Sequence, residues 1–401
     1  MSSNQRRRIA MTTSDNIYDA GGVENSIARI ARGMAASYGI EVDILMLDAS
    51  VQSAFKLQGG NGITRLEGPF EGVGLYRLAS WTGSERREQR WTDIHYALLE
   101  LAERRGYDLM QAFYATVAGF PTVYAAHQLG IPALVSIRGS DLISDVFKAD
   151  WFQYLVWALE HTTNITAVSQ EGLDRARLLC NRPDVGRVIL NSIDARDFAD
   201  GVEDLNLPRP VVGSLAVFRN KKGLEVLLAA FHLLLQRYPA AHLLLVGYVL
   251  EAEQGHFDEL IKKYGLAGKF TLTGRIARRD ALRYLRVMDV FAFSSLHDGC
   301  PNAVLEAMLA GLPIAASRAG ALPQMIEHGK EGLLVRPGSA MELCEAIAQI
   351  LSEEDVSKKF GERAMERALT YFAPRRELDE YMQVYRDCLV THPASTPPGD
   401  V

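Results

Sequence analysis

Val290-Phe-Ala-Phe-Ser-Ser-Leu-His-Asp-Gly-Cys-Pro-Asn-Ala-Val-Leu-Glu-Ala-Met-Leu-Ala-Gly-Leu-Pro-Ile-Ala-Ala-Ser317 is the stretch that decides the fold. Val290 to Phe293 is apolar without polar alternation, the pattern of a strand buried on both faces. Asp298, Gly299 and Pro301 mark a turn. From about Asn302 the residues Ala303, Leu305, Glu306, Ala307, Met308 and Leu309 favour helix. Gly311 ends that helix and Pro313 bars its continuation. Ile314 to Ser317 begins another buried strand. Strand, helix, strand is the unit of a parallel sheet. Asp298 then lies in the loop at the carboxyl end of the first strand. Glu306 lies one helical turn past Asn302 on the same face. Ligands of open parallel sheets bind outside the carboxyl ends of the strands. The intervening helix N-terminus offers N–H groups and partial positive charge, suited to phosphate. On spacing alone, a turn-forming Asp298 and a solvated Glu306 are the simpler reading; the rest of the chain reverses it.

The chain has 401 residues, 48% hydrophobic and 23% charged, with a formal net charge of −6. That length suits two domains, each with its own core. The acidic balance gives no global attraction to nucleic acid. Of the local basic clusters, Arg6 to Arg8 and Arg86 with Arg87 and Arg90 read first as a solvated face or a frayed terminus, while for Arg104 with Arg105 that reading and a local basic patch both stay open. Cys180, Cys300, Cys344 and Cys388 are scattered, without metal-ligand spacing or a disulfide framework. No signal-peptide core and no apolar run of about 18 residues occurs. A cytoplasmic protein is expected, with peripheral attachment to the inner face of the membrane left open.

Strand and helix patterns alternate along both halves. Ile9 to Thr12 reads as a strand, followed by Gly21-Gly22-Val-Glu24 and a helix to about Tyr38 with Ile27, Ile30, Ala31 and Met34 as its apolar stripe. Further strands are read at 42–47, 74–78, 109–113, 132–137 and 164–169, with helices at 91–105 and 123–129. The strand at 132–137 ends in Arg138-Gly-Ser-Asp141. Arg138 suits an anionic group, and Asp141 is equally readable as a helix N-cap. Residues 199–209 hold two prolines with polar neighbours and read as a linker. Beyond it, strands at 210–218, 243–247 and 269–274 alternate with helices at 224–238, 257–264 and 279–288. Arg219 and Lys222 follow a strand and precede a helix at Gly223, the arrangement that aims cations and N–H groups at phosphate. The alternative there is a solvated basic loop. A helix at 340–351 and a last one at 378–389 complete the pattern, before a polar, Pro-rich tail expected to be disordered.

The central stretch resembles the acid-x7-Glu motif of retaining nucleotide-sugar glycosyltransferases of family 4. Its continuation, Glu306-Ala-Met-Leu-Ala-Gly-Leu-Pro-Ile314, is similar to the family's "EAMAxGxPV". The Gly21-Gly22-Val-Glu24 turn, Lys222-Gly223 before a Leu-rich helix, and Gly320-Ala-Leu-Pro-Gln324 resemble further family segments. The departures are Asp298 for the usual Glu, Arg138 for a His, Ser192 for a Gly, Ala321 and Gln324 in the "GGxPE" loop, and Val217 where the family's arginine usually stands. Arg219, three residues before Lys222, is then the available substitute.

The resemblance implies an α/β fold of the GT-B architecture: two doubly wound Rossmann-like domains facing a central cleft. It implies an acceptor-side domain over 1–198, the linker 199–209, and a donor-binding domain over 210–372. A helix over 373–391 crosses back, and 392–401 is the tail. The activity implied is EC 2.4 chemistry: transfer from a nucleoside-diphosphate sugar, with UDP favoured, to a hydroxyl acceptor with retention of configuration. Polysaccharide, glycolipid or glycoconjugate synthesis is the expected setting. Lys222, Asp298 and Glu306 are the catalytic candidates. Gly21, Gly22, Arg219, Gly274, Arg275, Gly299, Cys300, Pro301 and Asn302 complete the donor set. Arg138 and Asp141 are the acceptor-side candidates. No cofactor or metal is expected, since no Asp-x-Asp ends a strand and no ligand cluster is visible. Two alternatives stay open: a nucleotide-sugar epimerase or hydrolase of this architecture, and a catalytically silent subunit that binds a partner enzyme. A nicotinamide dehydrogenase is disfavoured, because no Gly-x-Gly-x-x-Gly follows a first strand in either half.

Overall fold

The computed structural model describes residues 6–14, 16–18, 21–49, 61–68, 70–80, 82, 86–197 and 205–391. The chain forms two compact units, 1–190 with 377–401, and 191–376. Within the expected linker, 199–204 lie outside the described residues, as does the expected tail 392–401.

The first unit is built on β1 (Arg8–Thr13), β2 (Glu41–Asp48), β3 (Ile63–Leu66), β4 (Val73–Ala79), β5 (Leu109–Phe113), β6 (Ala133–Ile137), β7 (Asn164–Ala167) and β8 (Arg187–Val188). Their order across the sheet is β3-β4-β2-β1-β5-β6-β7-β8. All pairs are parallel except the β3–β4 hairpin. Alternation along β1 assigns the two faces. Ile9 and Met11 pack under the helix Gly22–Tyr38 with Ile27, Ile30 and Met34. Ala10 packs on the other side with Leu98, Val123 and Leu155 from helices Arg87–Arg105, Gly119–Leu129 and Ala149–His161. The terminal helix Pro374–Thr391 contributes Leu378, Tyr381 and Tyr385 to the first of these layers. Arg29 donates to both oxygens of the buried Glu377, at 2.9 and 3.1 Å. Tyr385 donates to Gln111 Oε1 at 2.5 Å.

The second unit contains β9 (Val211–Phe218), β10 (His242–Val249), β11 (Phe270–Leu272), β12 (Val290–Phe293), β13 (Ile314–Ser317) and β14 (Gly332–Val335). The order is β11-β10-β9-β12-β13-β14, parallel throughout. Each sheet therefore has the doubly wound order, which reverses between β1 and β5 in the first and between β9 and β12 in the second. Every residue of β12 is buried, as its unbroken apolar run requires. Leu224, Leu228 and Phe231 of the helix Leu224–Leu234 lie in the same core as Val212, Leu243 and Val290. Each such side chain contributes about 1.5–3 kcal/mol on burial.

Three long helices escape the reading from sequence, Ala149–His161, Gln170–Cys180 and Glu354–Tyr371. The first carries Trp151, Phe152, Tyr154 and Trp157, which are poor helix formers. Burial of Leu155, Ala158 and Leu159 overrides them. No helix of the described residues is long and apolar enough to cross a membrane.

Candidate functional site

The loops that follow β9 and β12 leave the second sheet on either side of its reversal, where the crevice of a doubly wound sheet opens. They are stitched together through backbone. Ser294 Oγ reaches Lys222 O at 3.0 Å and Gly223 O at 2.9 Å, and Leu296 N donates to Lys221 O at 3.0 Å. Gly223 has φ +67°, and a Cβ there would stand 2.0 Å from Ser294 O, so only glycine permits this approach. Gly320 repeats the device on the other side of the Asp298 loop. Its φ is +56°, and a Cβ would meet Asp298 O at 1.7 Å. Ala321 N then donates to Gly299 O at 2.8 Å.

This packing brings Lys222 Nζ to 2.5 Å from Asp298 Oδ2, with the two side chains only 19% and 16% exposed. The ammonium also lies 5.5 Å from the centre of the Phe293 ring. Arg219 precedes Lys222 in the same loop, and its Nε is buried with no hydrogen-bond partner among the described residues. Behind these cations starts the helix Leu224–Leu234, whose N-terminus has no side-chain cap. Uncapped N–H groups and Arg219 add positive potential at this end of β9, where Asp298 offsets the charge of Lys222.

Glu306 sits in the helix Asn302–Leu309, which also starts without a side-chain cap. The carboxylate is 4% exposed. Arg278 donates to its Oε1 from Nε at 2.9 Å and from Nη2 at 2.8 Å. Sequence reasoning did not single out Arg278. It lies 28 positions from Glu306, and no local pattern links them. Asn191 was missed for the same reason: its Nδ2 donates to Cys300 O at 2.8 Å and to Asn302 Oδ1 at 3.0 Å. That side chain, at the start of the second unit, pins the turn Gly299-Cys300-Pro301-Asn302. Arg275 is exposed and lies 4.1 Å from the Tyr248 ring, beside Gly274 in a left-handed conformation at φ +77°.

The remaining predicted residues belong to the first unit. Gly21 caps the helix Gly22–Tyr38 with φ −83°, and the Glu24 carboxyl folds over it, within 2.0 Å of where a Cβ would lie. Asp141 is wholly buried. Its oxygens accept from Ala115 N at 3.1 Å, Gly139 N at 2.8 Å and Arg138 N at 3.2 Å. Burial pushes its carboxyl up and these N–H groups pull it down, with burial prevailing. The N-cap of the helix Ser140–Ile143 is Gly139, without a side-chain cap bond. Asp141 thus clamps the turns after β5 and β6 together and faces no solvent. Arg138 is 7% exposed, with its guanidinium 5.7 Å from the Phe113 ring. Among the described residues, no three His, Cys, Asp or Glu side chains gather as a metal-binding group.

The family model for Glycosyltransferase Family 4 matches residues 20–197, and that for Glycosyl transferases group 1 matches 195–367. The chain belongs to glycosyltransferase family 4. The D-inositol 3-phosphate glycosyltransferase of Corynebacterium diphtheriae is 23% identical over 382 residues, covering 88% of this glycosyltransferase and 87% of that protein. The N-acetyl-alpha-D-glucosaminyl L-malate synthase of Bacillus anthracis is 23% identical over 73% of this chain and 78% of its own. Among solved structures, sucrose-phosphate synthase from Thermosynechococcus elongatus superposes with a TM-score of 0.77 at 22% identity, covering 96% of this chain and all of that one. Anabaena HepE in complex with UDP and glucose gives 0.75 at 20% identity, covering 95% and 100%. These likenesses establish the GT-B fold, two Rossmann-like domains with parallel sheets.

Proposed function

We propose that this glycosyltransferase moves a sugar from UDP to a hydroxyl acceptor with retention of configuration, using no metal. The observation that carries the reading is the buried Lys222–Asp298 pair at the reversal of the second sheet, with the Arg278-held Glu306 in the helix that follows the same loop. Lys222 and Arg219, with the uncapped helix behind them, suit a diphosphate. Glu306 accepts from the ribose hydroxyls, and Arg278 holds it in place. Asp298 and the Gly299-Cys300-Pro301-Asn302 turn receive the sugar. Gly274 and Arg275 border the base, and Gly21 and Gly22 belong to the donor set that the family resemblance implies. Arg138 contributes a cation on the acceptor side, placed by the Asp141 clamp. UDP is favoured because a fold neighbour, Anabaena HepE, was solved with it.

Cleavage of the bond between the anomeric carbon and the β-phosphate oxygen leaves negative charge on the phosphate. Fixed cations stabilise that charge without reorganising. We favour a same-face route, since a covalent one needs a nucleophile held close to the anomeric carbon. In that route the acceptor oxygen bonds the anomeric carbon on the face UDP leaves. Its proton passes to the departing phosphate oxygen. The enzyme is expected to work on saccharide, lipid-linked or small-molecule acceptors. Incubation with UDP-sugars and an acceptor panel, in chelator, tests this by the anomeric configuration of the product. A new α-linked glycoside from an α-linked donor supports the reading. Free sugar or an epimerised nucleotide sugar in the absence of acceptor would replace it with the hydrolase or epimerase alternative.

A further inference from the structure

Helices Arg87–Arg105, Gly119–Leu129 and Ala149–His161 bury one face each on the first sheet. Their outer faces carry a groove of about 640 Å³ lined chiefly by aromatic side chains. Three of the chain's four tryptophans, Trp91, Trp151 and Trp157, belong to this cluster. Trp91 and Trp151 meet edge to face at 5.7 Å. Phe120 and Tyr124, one helical turn apart, hold their rings parallel to within 7°, with centroids 5.6 Å apart. Tyr154 closes on Phe120 at 4.8 Å. Tyr96 and Tyr124 remain 59% and 37% exposed. So much aromatic surface left in water marks a binding face.

The polar groups of the lining narrow the choice of ligand. Glu88 and Asp150 line the groove, and no Lys or Arg does. Anionic lipid or nucleic acid would meet the wrong sign of charge. His95 Nε2 lies 2.8 Å from Gln128 Oε1 and so bears the proton; its Nδ1 is buried without a hydrogen-bond partner among the described residues and is left as an acceptor. Burial also lowers the affinity of His95 for a second proton. A neutral sugar ring presents polarised C–H bonds to aromatic faces, whose π-clouds are negative, and hydroxyls to acceptors around them. The volume falls within the range of small-ligand clefts, about 300–1,000 Å³.

We infer that this groove is a second saccharide site, taking a neutral oligosaccharide by stacking on the exposed Tyr96 and Tyr124 rings and hydrogen bonding to His95, Glu88 and Asp150. None of its residues belongs to the proposed donor set, so it does not depend on the UDP reading. It would hold a saccharide chain on the enzyme apart from the step of transfer. Tryptophan fluorescence of the full chain, titrated with maltohexaose, cellohexaose and chitotetraose, tests it. A saturable change with at least one is expected, weakened on the order of tenfold or more in Tyr124→Ala and in Tyr96→Ala, and largely kept in Tyr124→Phe. Circular dichroism and melting of the variants confirm that they fold. No saturable response to any of the saccharides would overturn the inference. So would a response equal in the wild type and both alanine variants. Binding to phosphatidylglycerol vesicles, or self-association in sedimentation, that both variants abolish would assign the face to a membrane or a second copy instead.

Discussion

Asp298→Asn separates the two roles proposed for the ion pair at the sheet reversal. Asp298 Oδ2 holds Lys222 Nζ at 2.5 Å, with both side chains more than four-fifths buried. If Lys222 binds the diphosphate, the ligand must first draw it away from Asp298. A hydrogen bond between charged groups contributes about 1.5–3 kcal/mol, and the lower value applies because the released groups regain some water. Asparagine keeps the shape and removes the charge. The variant is therefore expected to bind UDP about tenfold more tightly, since 1.4 kcal/mol is tenfold. Transfer should fall about 10- to 100-fold, because the sugar loses its carboxylate contact. Calorimetric titration with UDP and UDP-glucose, beside initial rates, reads both effects. Unchanged or weaker UDP binding would refute the competition and with it the assignment of Lys222 to the phosphates.

Glu306→Gln should bind UDP and 2′-deoxy-UDP almost equally, whereas the wild type should prefer UDP by roughly tenfold; calorimetry on the pair decides it. Gly320→Ala forces a left-handed alanine against Asp298 O, costing about 2 kcal/mol or more and lowering the melting temperature by roughly 4–8 °C, with loss of UDP binding. His242 is buried and bonded to Thr271 Oγ1 at 2.8 Å, and burial lowers its pKa below the ordinary 6.5. The unfolded chain therefore binds that proton more readily than the folded one. Stability is full above the ordinary value and is lost as pH falls through it toward the folded pKa. Denaturant melts at about pH 7.5 and about pH 5.5 should show a loss that His242→Gln reduces.

The second unit was the more legible in sequence, for a physical reason. Its strands are buried on both faces, so Val290–Phe293 and Ile314–Ser317 are continuous apolar runs, and its helix ends are marked by Gly311 and Pro313. Lys222 and Asp298 also announce themselves, because each follows a strand in a short glycine-bearing loop. Arg278 and Asn191 do not. Their roles exist only once the sheet order places distant segments side by side. The helix Ala149–His161 was hidden by its aromatic residues, which favour neither helix nor loop strongly, and of which Trp151 and Tyr154 line the groove. Asp141 was legible as a capping residue by type; its carboxylate proved to bind three backbone N–H groups around it, a clamp no spacing rule encodes.

The account turns on whether the reversal of the second sheet holds a nucleoside diphosphate. Thermal shift of the full chain and of Lys222→Met, with UDP, GDP and ADP in chelator and in magnesium, asks this most directly. Ligand at about 100 times its dissociation constant stabilises by roughly 2.7 kcal/mol. The account predicts a shift with UDP that survives chelator and is lost in Lys222→Met. No shift with any of the three in either condition, or one that Lys222→Met leaves intact, would contradict it.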